Sequence, residues 1–151
     1  MDYESLRITK IRDYLMNIIN TIANDKKNRI NANMLSNDIN NYSLDKMPTN
    51  PQVEKWIIGI VRKKDVYSFR SRMAYSQDTI TNLRNIGFFE KFEDIINFNN
   101  KEGILPDING IESIECLNCG TMNYAETNTA EFDIQIQITY RKNDEEREMS
   151  L

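Results

Sequence analysis

The stretch AEFDIQIQITY, Ala130 to Tyr140, leaves the chain very little choice. Phe132, Ile134, Ile136, Ile138 and Tyr140 alternate with Asp133, Gln135, Gln137 and Thr139, so an extended backbone places every large apolar side chain on one face. A helix would scatter the same residues around its circumference. Slipping the pairing by one residue would invert both faces, so the alternation also specifies the register in whatever sheet receives this strand.

Other segments predict its partners. From Ser5 to about Asn24, Ile8, Ile11, Leu15, Ile18 and Ile22 recur at steps of three and four, the stripe of an amphipathic helix that Asp2 or Ser5 is placed to cap. An Asn-rich segment from Asp25 to Pro51 reads as loop with one short strand near Tyr42 to Met47, since Pro48 and Pro51 prevent a helix there. Val53 to Val61 is β-rich but interrupted by Gly59, and the run RKKD before Val66 predicts a bulge or an exposed hairpin connection. Beyond it, Tyr67, Phe69, Ser71, Met73 and Tyr75 share one face of a strand, and Ser68, Arg70, Arg72 and Ala74 the other.

Ser76 is a candidate N-cap for a helix whose apolar residues Ile80, Leu83 and Ile86 lead to Gly87, read as its C-terminal glycine. FFEKFEDIINF then continues at helical spacing, which predicts a kinked helix pair. Gly103, Pro106 and Gly110 punctuate a loop before an extended segment from Ile111 to Asn118. The order predicts an α+β fold: an antiparallel or mixed β-sheet with an N-terminal helix and a central kinked helix pair packed on one face.

With 151 residues, 40% of them hydrophobic, the chain is sized for one domain, taken as 1–142, and a charged tail, 143–151. The N-terminus lacks a basic segment followed by an apolar one, and no uninterrupted apolar run is long enough to span a bilayer. We therefore expect a protein of the reducing cytoplasm with no membrane partner. A net charge of −4 disfavours general nucleic-acid binding, which depends on neutralising phosphates.

The absence of histidine removes the Ser/His/Asp and Cys/His nucleophile systems and every imidazole metal ligand. The cysteines, Cys116 and Cys119, supply half of a tetrahedral zinc site within one chain. In one extended strand their α-carbons would be about 10 Å apart, beyond the roughly 7 Å that a disulfide spans. We read IECLNCG as a strand reaching a turn. Carboxylate neighbours such as Glu112 with Glu115, or Glu90 with Glu93 and Asp94, read as solvated surface. The glycines do not cluster into a phosphate-binding loop. No catalytic residue, metal ligand or cofactor is implied, and we expect a non-enzymatic protein.

In an acidic chain the stripe Arg62, Lys63, Lys64, Arg70 and Arg72 stands out. It reads either as the solvated face of an antiparallel sheet or as a surface for an acidic partner or another copy of the chain. The polar face Asp133, Gln135, Gln137 and Thr139 reads either as plain solvent exposure or as a wet subunit interface.

Taken in order, VRKKDVYSFRSRMAYSQDTITNLRNIGFFEKFEDII and GILPDINGIESIECLNCGTMNYAETNTAEFDIQIQITYRK resemble small proteins of the tail-assembly modules of phages of Gram-positive bacteria, the minor capsid or tail terminator type. The similarity lies in a strand ending in SRMAYS, a helix closing on GFFEKFEDII, a strand IESIECL leading to a glycine turn, and the terminal AEFDIQIQITY. It covers Val61 to Lys142. The resemblance implies a structural virion protein, a tail-completion subunit that forms a hexameric ring on the head-proximal end of the tail tube. Such a ring stops tube polymerisation and joins the tail to the neck or collar, in a phage or a phage-tail-like bacteriocin. Its expected partners are copies of itself, the tail tube protein, sheath and neck or collar proteins, and its expected place is the virion tail or tail-like particle, assembled in the host cytoplasm. Arg62, Lys63, Lys64, Arg70, Arg72, Asp133, Gln135 and Gln137 are the candidate interface residues. The competing reading is a small cytoplasmic binding or regulatory module in which the CxxC pairs across a dimer to hold zinc.

Overall fold

The computed structural model describes residues 6–22, 29–32, 41–48, 52–55, 59–74, 79–118, 120–125 and 129–143. The fold is α+β: helices α1 (Arg7–Ile22) and α2 (Thr79–Glu102) with strands β1 (Arg29–Ala32), β2 (Asn41–Met47), β3 (Gln52–Lys55), β4 (Ile60–Ala74), β5 (Ile111–Cys116), β6 (Thr121–Ala125) and β7 (Thr129–Asn143). The seven strands form one sheet in the order β1-β2-β4-β7-β5, with β3 on β4 and β6 on β7. All pairs are antiparallel except β1 with β2.

The sheet is organised around β4 and β7, two 15-residue strands that pair along their whole length, from Ile60 opposite Asn143 to Ala74 opposite Thr129. The alternation in β7 explains the register. Ile134, Ile136 and Ile138 sit opposite Phe69, Tyr67 and Asp65, and all of these are buried on the face that receives the helices. Both helices lie on that face: Phe92 of α2 stacks on Phe69, with ring centroids 5.1 Å apart, and Arg7 of α1 reaches Asp65. Tyr42 of β2 stacks on the other side of the cluster, 5.5 Å from Phe69, so one aromatic column ties β2, β4 and α2 together. Burying each such side chain contributes about 1.5–3 kcal/mol.

Along α1 the expected stripe is present, with Ile11, Leu15, Ile18 and Ile19 buried. The helix begins at Arg7, so Leu6 stands at its N-cap, and the proposed caps Asp2 and Ser5 lie outside the described residues, as do Tyr75, Ser76 and Asp78.

Three local expectations are corrected. The central helix does not break at Gly87: α2 runs through it for 24 residues. A helical glycine costs only about 1 kcal/mol, and the packing of Phe88, Phe89 and Phe92 immediately beyond it outweighs that. The helix stops instead at Gly103, whose φ of 75° closes the last turn as Ile104 N donates to Asn99 O at 2.8 Å. The RKKD run is neither a bulge nor a hairpin connection, because β7 supplies a partner for every residue of β4. The Asn-rich segment contains a second strand, β1, parallel to β2, too short to show a period. Of the expected tail 143–151, Asn143 is the last residue of β7, opposite Ile60, and 144–151 lie outside the described residues.

Candidate interaction surface

Register assigns each predicted surface residue to a face. Arg62, Lys64, Arg70 and Arg72 of β4 lie opposite Arg141, Thr139, Asp133 and Glu131 of β7. Gln135 and Gln137 follow the same parity, so these residues share the face turned away from the helices. Lys63 departs from the expectation. It sits opposite Tyr140 on the helix face, one residue out of phase with the rest of the stripe.

The stripe is basic in sequence but not in space. Arg70 is held by Asp45 of β2, with Nη2 2.8 Å from Oδ2, and by Glu131 of β7 at 3.5 Å, and it donates to Ser43 Oγ at 3.3 Å. Ser43 in turn donates to Asp45 Oδ1 at 2.9 Å. Ser68 donates to Asp133 Oδ1 at 2.7 Å, and Gln137 to Glu115 Oε1 of β5 at 2.7 Å. The cations Arg62, Lys64, Arg70, Arg72 and Arg141 therefore share a face with Asp45, Glu112, Glu115, Glu131 and Asp133. The result is a nearly neutral, cross-linked polar face, with Arg72 8% exposed.

Glu112 owes its place to an irregularity. The β5 register shifts between Ile111 and Ser113, and Glu112 meets both Arg62, whose Nε is 2.9 Å from Oε2, and Arg141, whose Nε donates to Oε1. Burial alone would raise its pKa, but the hydrogen bonds and charges of the two guanidinium groups outweigh that and hold it below the usual range.

On the helix face the charged residue that sequence reasoning missed is Asp65. Read as part of an exposed run, it is 1% exposed, with Arg7 Nε 3.6 Å and Lys46 Nζ 3.9 Å from Oδ2. Its parity with Tyr67 and Phe69 was the available signal. The Arg7 guanidinium also lies over the Tyr140 ring, 4.9 Å from its centroid. Burial, and then the Asp65 charge, raise the phenol pKa of Tyr67 and Tyr140, the latter to about 12. Beside this group, Arg7, Lys10, Asp107, Asn109, Tyr140, Arg141 and Lys142 line an open cleft of about 180 Å³.

Cys116 ends β5 half-buried against the core, and the chain bends at Leu117 and Asn118, whose side-chain oxygen accepts from Gln135 N at 2.8 Å. Cys119 lies outside the described residues. Among the described residues no group of three or more Cys, Asp or Glu side chains is arranged to hold a metal ion, and no helix is long and apolar enough to cross a membrane. No protein-family model matches the chain, and no curated protein matches it.

Proposed function

We propose that this chain is a non-enzymatic structural subunit of a phage tail or phage-tail-like particle, forming a ring that caps the head-proximal end of the tail tube. The ring stops tube growth and joins the tail to the neck or collar; the resemblance implies six copies. It contacts copies of itself and the tube protein, with sheath and neck or collar proteins as further neighbours, and assembles in the host cytoplasm.

The observation that carries this reading is the ordered set of segments between Val61 and Lys142, which resembles the tail terminator type and makes up the two long strands, α2 and β5. The cross-linked polar face supports it. Arg62, Arg70, Asp133, Gln135 and Gln137 stand on adjacent strands, with Arg62 and Arg70 anchored by carboxylates, and a surface already ordered loses less side-chain entropy on docking.

The test is the oligomer mass by light scattering, alone and with the cognate tube protein, together with tube length by electron microscopy. A ring, or a monomer that assembles on tube ends and shortens the tubes, supports the proposal. A monomer indifferent to tubes overturns it.

A further inference from the structure

The loop between α2 and β5 carries the only asparagine of the chain that is followed by glycine, the pair Asn109–Gly110. Both residues are exposed, at the centre of a turn that Ile111 N closes by donating to Ile108 O at 3.2 Å. Gly110 has a φ of 80°, and a β-carbon on it would run into the backbone carbonyl of Arg141, whose own N donates to Gly110 O at 2.9 Å. The close approach of β7 therefore requires glycine at this position. Its bare α-carbon in turn leaves the peptide nitrogen it shares with Asn109 sterically open.

The other asparagines are held where Asn109 is not. Asn99 donates to Tyr14 Oη at 3.1 Å, Asn85 donates to Ala74 O at 2.8 Å, and Asn100 accepts from Ile114 N at 3.1 Å. All three lie in α2, where the N–H of the following residue is engaged in the helical ladder. Outside helices and strands the described residues hold only one other asparagine, Asn118, and its side-chain oxygen accepts from Gln135 N at 2.8 Å. Neither the Asn109 amide nor the Gly110 N–H makes a hydrogen bond among the described residues.

We infer that Asn109 is a site of spontaneous deamidation in the folded chain. Gly110 N attacks Asn109 Cγ, the N–Cγ bond forms, and the Cγ–Nδ2 bond breaks; the Gly110 N–H proton passes through solvent to Nδ2, which leaves as ammonia. Water then opens the resulting succinimide. Cleavage between Gly110 N and Cγ gives aspartate, and cleavage between Gly110 N and the Asn109 main-chain carbonyl carbon gives isoaspartate, whose backbone runs through Cβ and Cγ. Either product adds one negative charge beside Lys10 and Asp107. The isoaspartyl form also lengthens the turn between buried Ile108 and the Gly110–Arg141 hydrogen bond, which loosens the start of β5. The reaction is the same whether or not the chain forms a ring.

The experiment incubates the folded full chain at mildly alkaline pH in water enriched in heavy oxygen, with a parallel sample in urea. Ammonia release and peptide mass spectrometry are the readouts. In the folded sample Asn109 is expected to gain the deamidation mass and the heavy oxygen, and to account for more conversion than all the other asparagines together, with aspartyl and isoaspartyl peptides eluting separately. Asn109→Gln, whose longer side chain would have to close a larger ring, loses most of the ammonia release; circular dichroism verifies that it is folded, and the wild-type peptide map stands without it. The purified isoaspartyl chain unfolds at a lower urea concentration than Asn109→Asp, which carries the same charge without the longer backbone. An Asn109 that converts in urea but stays intact in the folded chain overturns the inference, because the turn then protects it. Ammonia release that is unchanged in a folded Asn109→Gln chain overturns it as well. Equal urea midpoints for the isoaspartyl and Asn109→Asp chains overturn the link to β5.

Discussion

Arg70 and Asp45 meet 2.8 Å apart, although neither faces the other in the β2–β4 register: Arg70 lies opposite Ser43, and Asp45 opposite Ser68. The contact is diagonal, and with Glu131 on the far side it makes one guanidinium a tie across β2, β4 and β7.

Replacing Arg70 with alanine leaves the Asp45 and Glu131 carboxylates half-buried without their shared donor. The expected loss is about 1–3 kcal/mol, read as a lower midpoint in urea with an unchanged slope. Because the two residues share one contact, Arg70→Ala and Asp45→Ala together should cost less than their sum. Strict additivity would show that the tie contributes nothing.

Glu112 makes stability sensitive to acid. Its pKa is depressed below the usual 4.5, so its contribution is fully present above the unfolded value and is lost as pH falls through the folded one. Unfolding followed from pH 6 downward, over about the range where carboxylates protonate, should show a steeper decline for the wild type than for Glu112→Gln. Equal slopes would remove Glu112 from the account.

Tyr140 acts at the alkaline end with the opposite sign. A phenol raised to about 12 favours the protonated form in the folded chain, so its contribution is present below the ordinary value of 10.0 and is lost as pH rises toward 12. Tyrosinate absorbance should reveal slow-titrating phenols that ionise together with unfolding, and Tyr140→Phe should abolish one of them. Tyr67, raised further, should behave likewise.

The two glycines of the α2 region should respond oppositely to alanine. At Gly87 a β-carbon meets nothing within 4 Å, so Gly87→Ala should stabilise by roughly 0.5–1 kcal/mol through higher helix propensity. At Gly103, with φ of +75°, the same change should destabilise by about 1 kcal/mol or more. Thermal melts of both variants distinguish a continuous helix from one that ends at Gly87.

Much of the architecture was legible because it depends on near neighbours in the chain. The alternation from Phe132 to Tyr140 set the faces of β7, and the three-and-four spacing from Ile8 to Ile22 set the buried side of α1. Where local signals competed, they misled. Gly87 looked like a terminus because its cost is local, whereas the gain from Phe88, Phe89 and Phe92 comes from a sheet distant in sequence. Lys63 and Asp65 looked exposed because charge is normally solvated, yet β7 holds both in a strand and turns them toward the helices.

The candidate surface divides along the same line. Periodicity alone places Arg70, Arg72, Asp133, Gln135 and Gln137 on polar strand faces, because side-chain direction in a strand repeats every two residues. That those faces coincide, that Arg70 finds Asp45, and that Glu112 is shared by Arg62 and Arg141 required strands far apart in the chain to be paired. Alternation carries no information about which strand lies alongside. That choice is made when the apolar faces are buried together, and it turned a basic stripe into a neutral one.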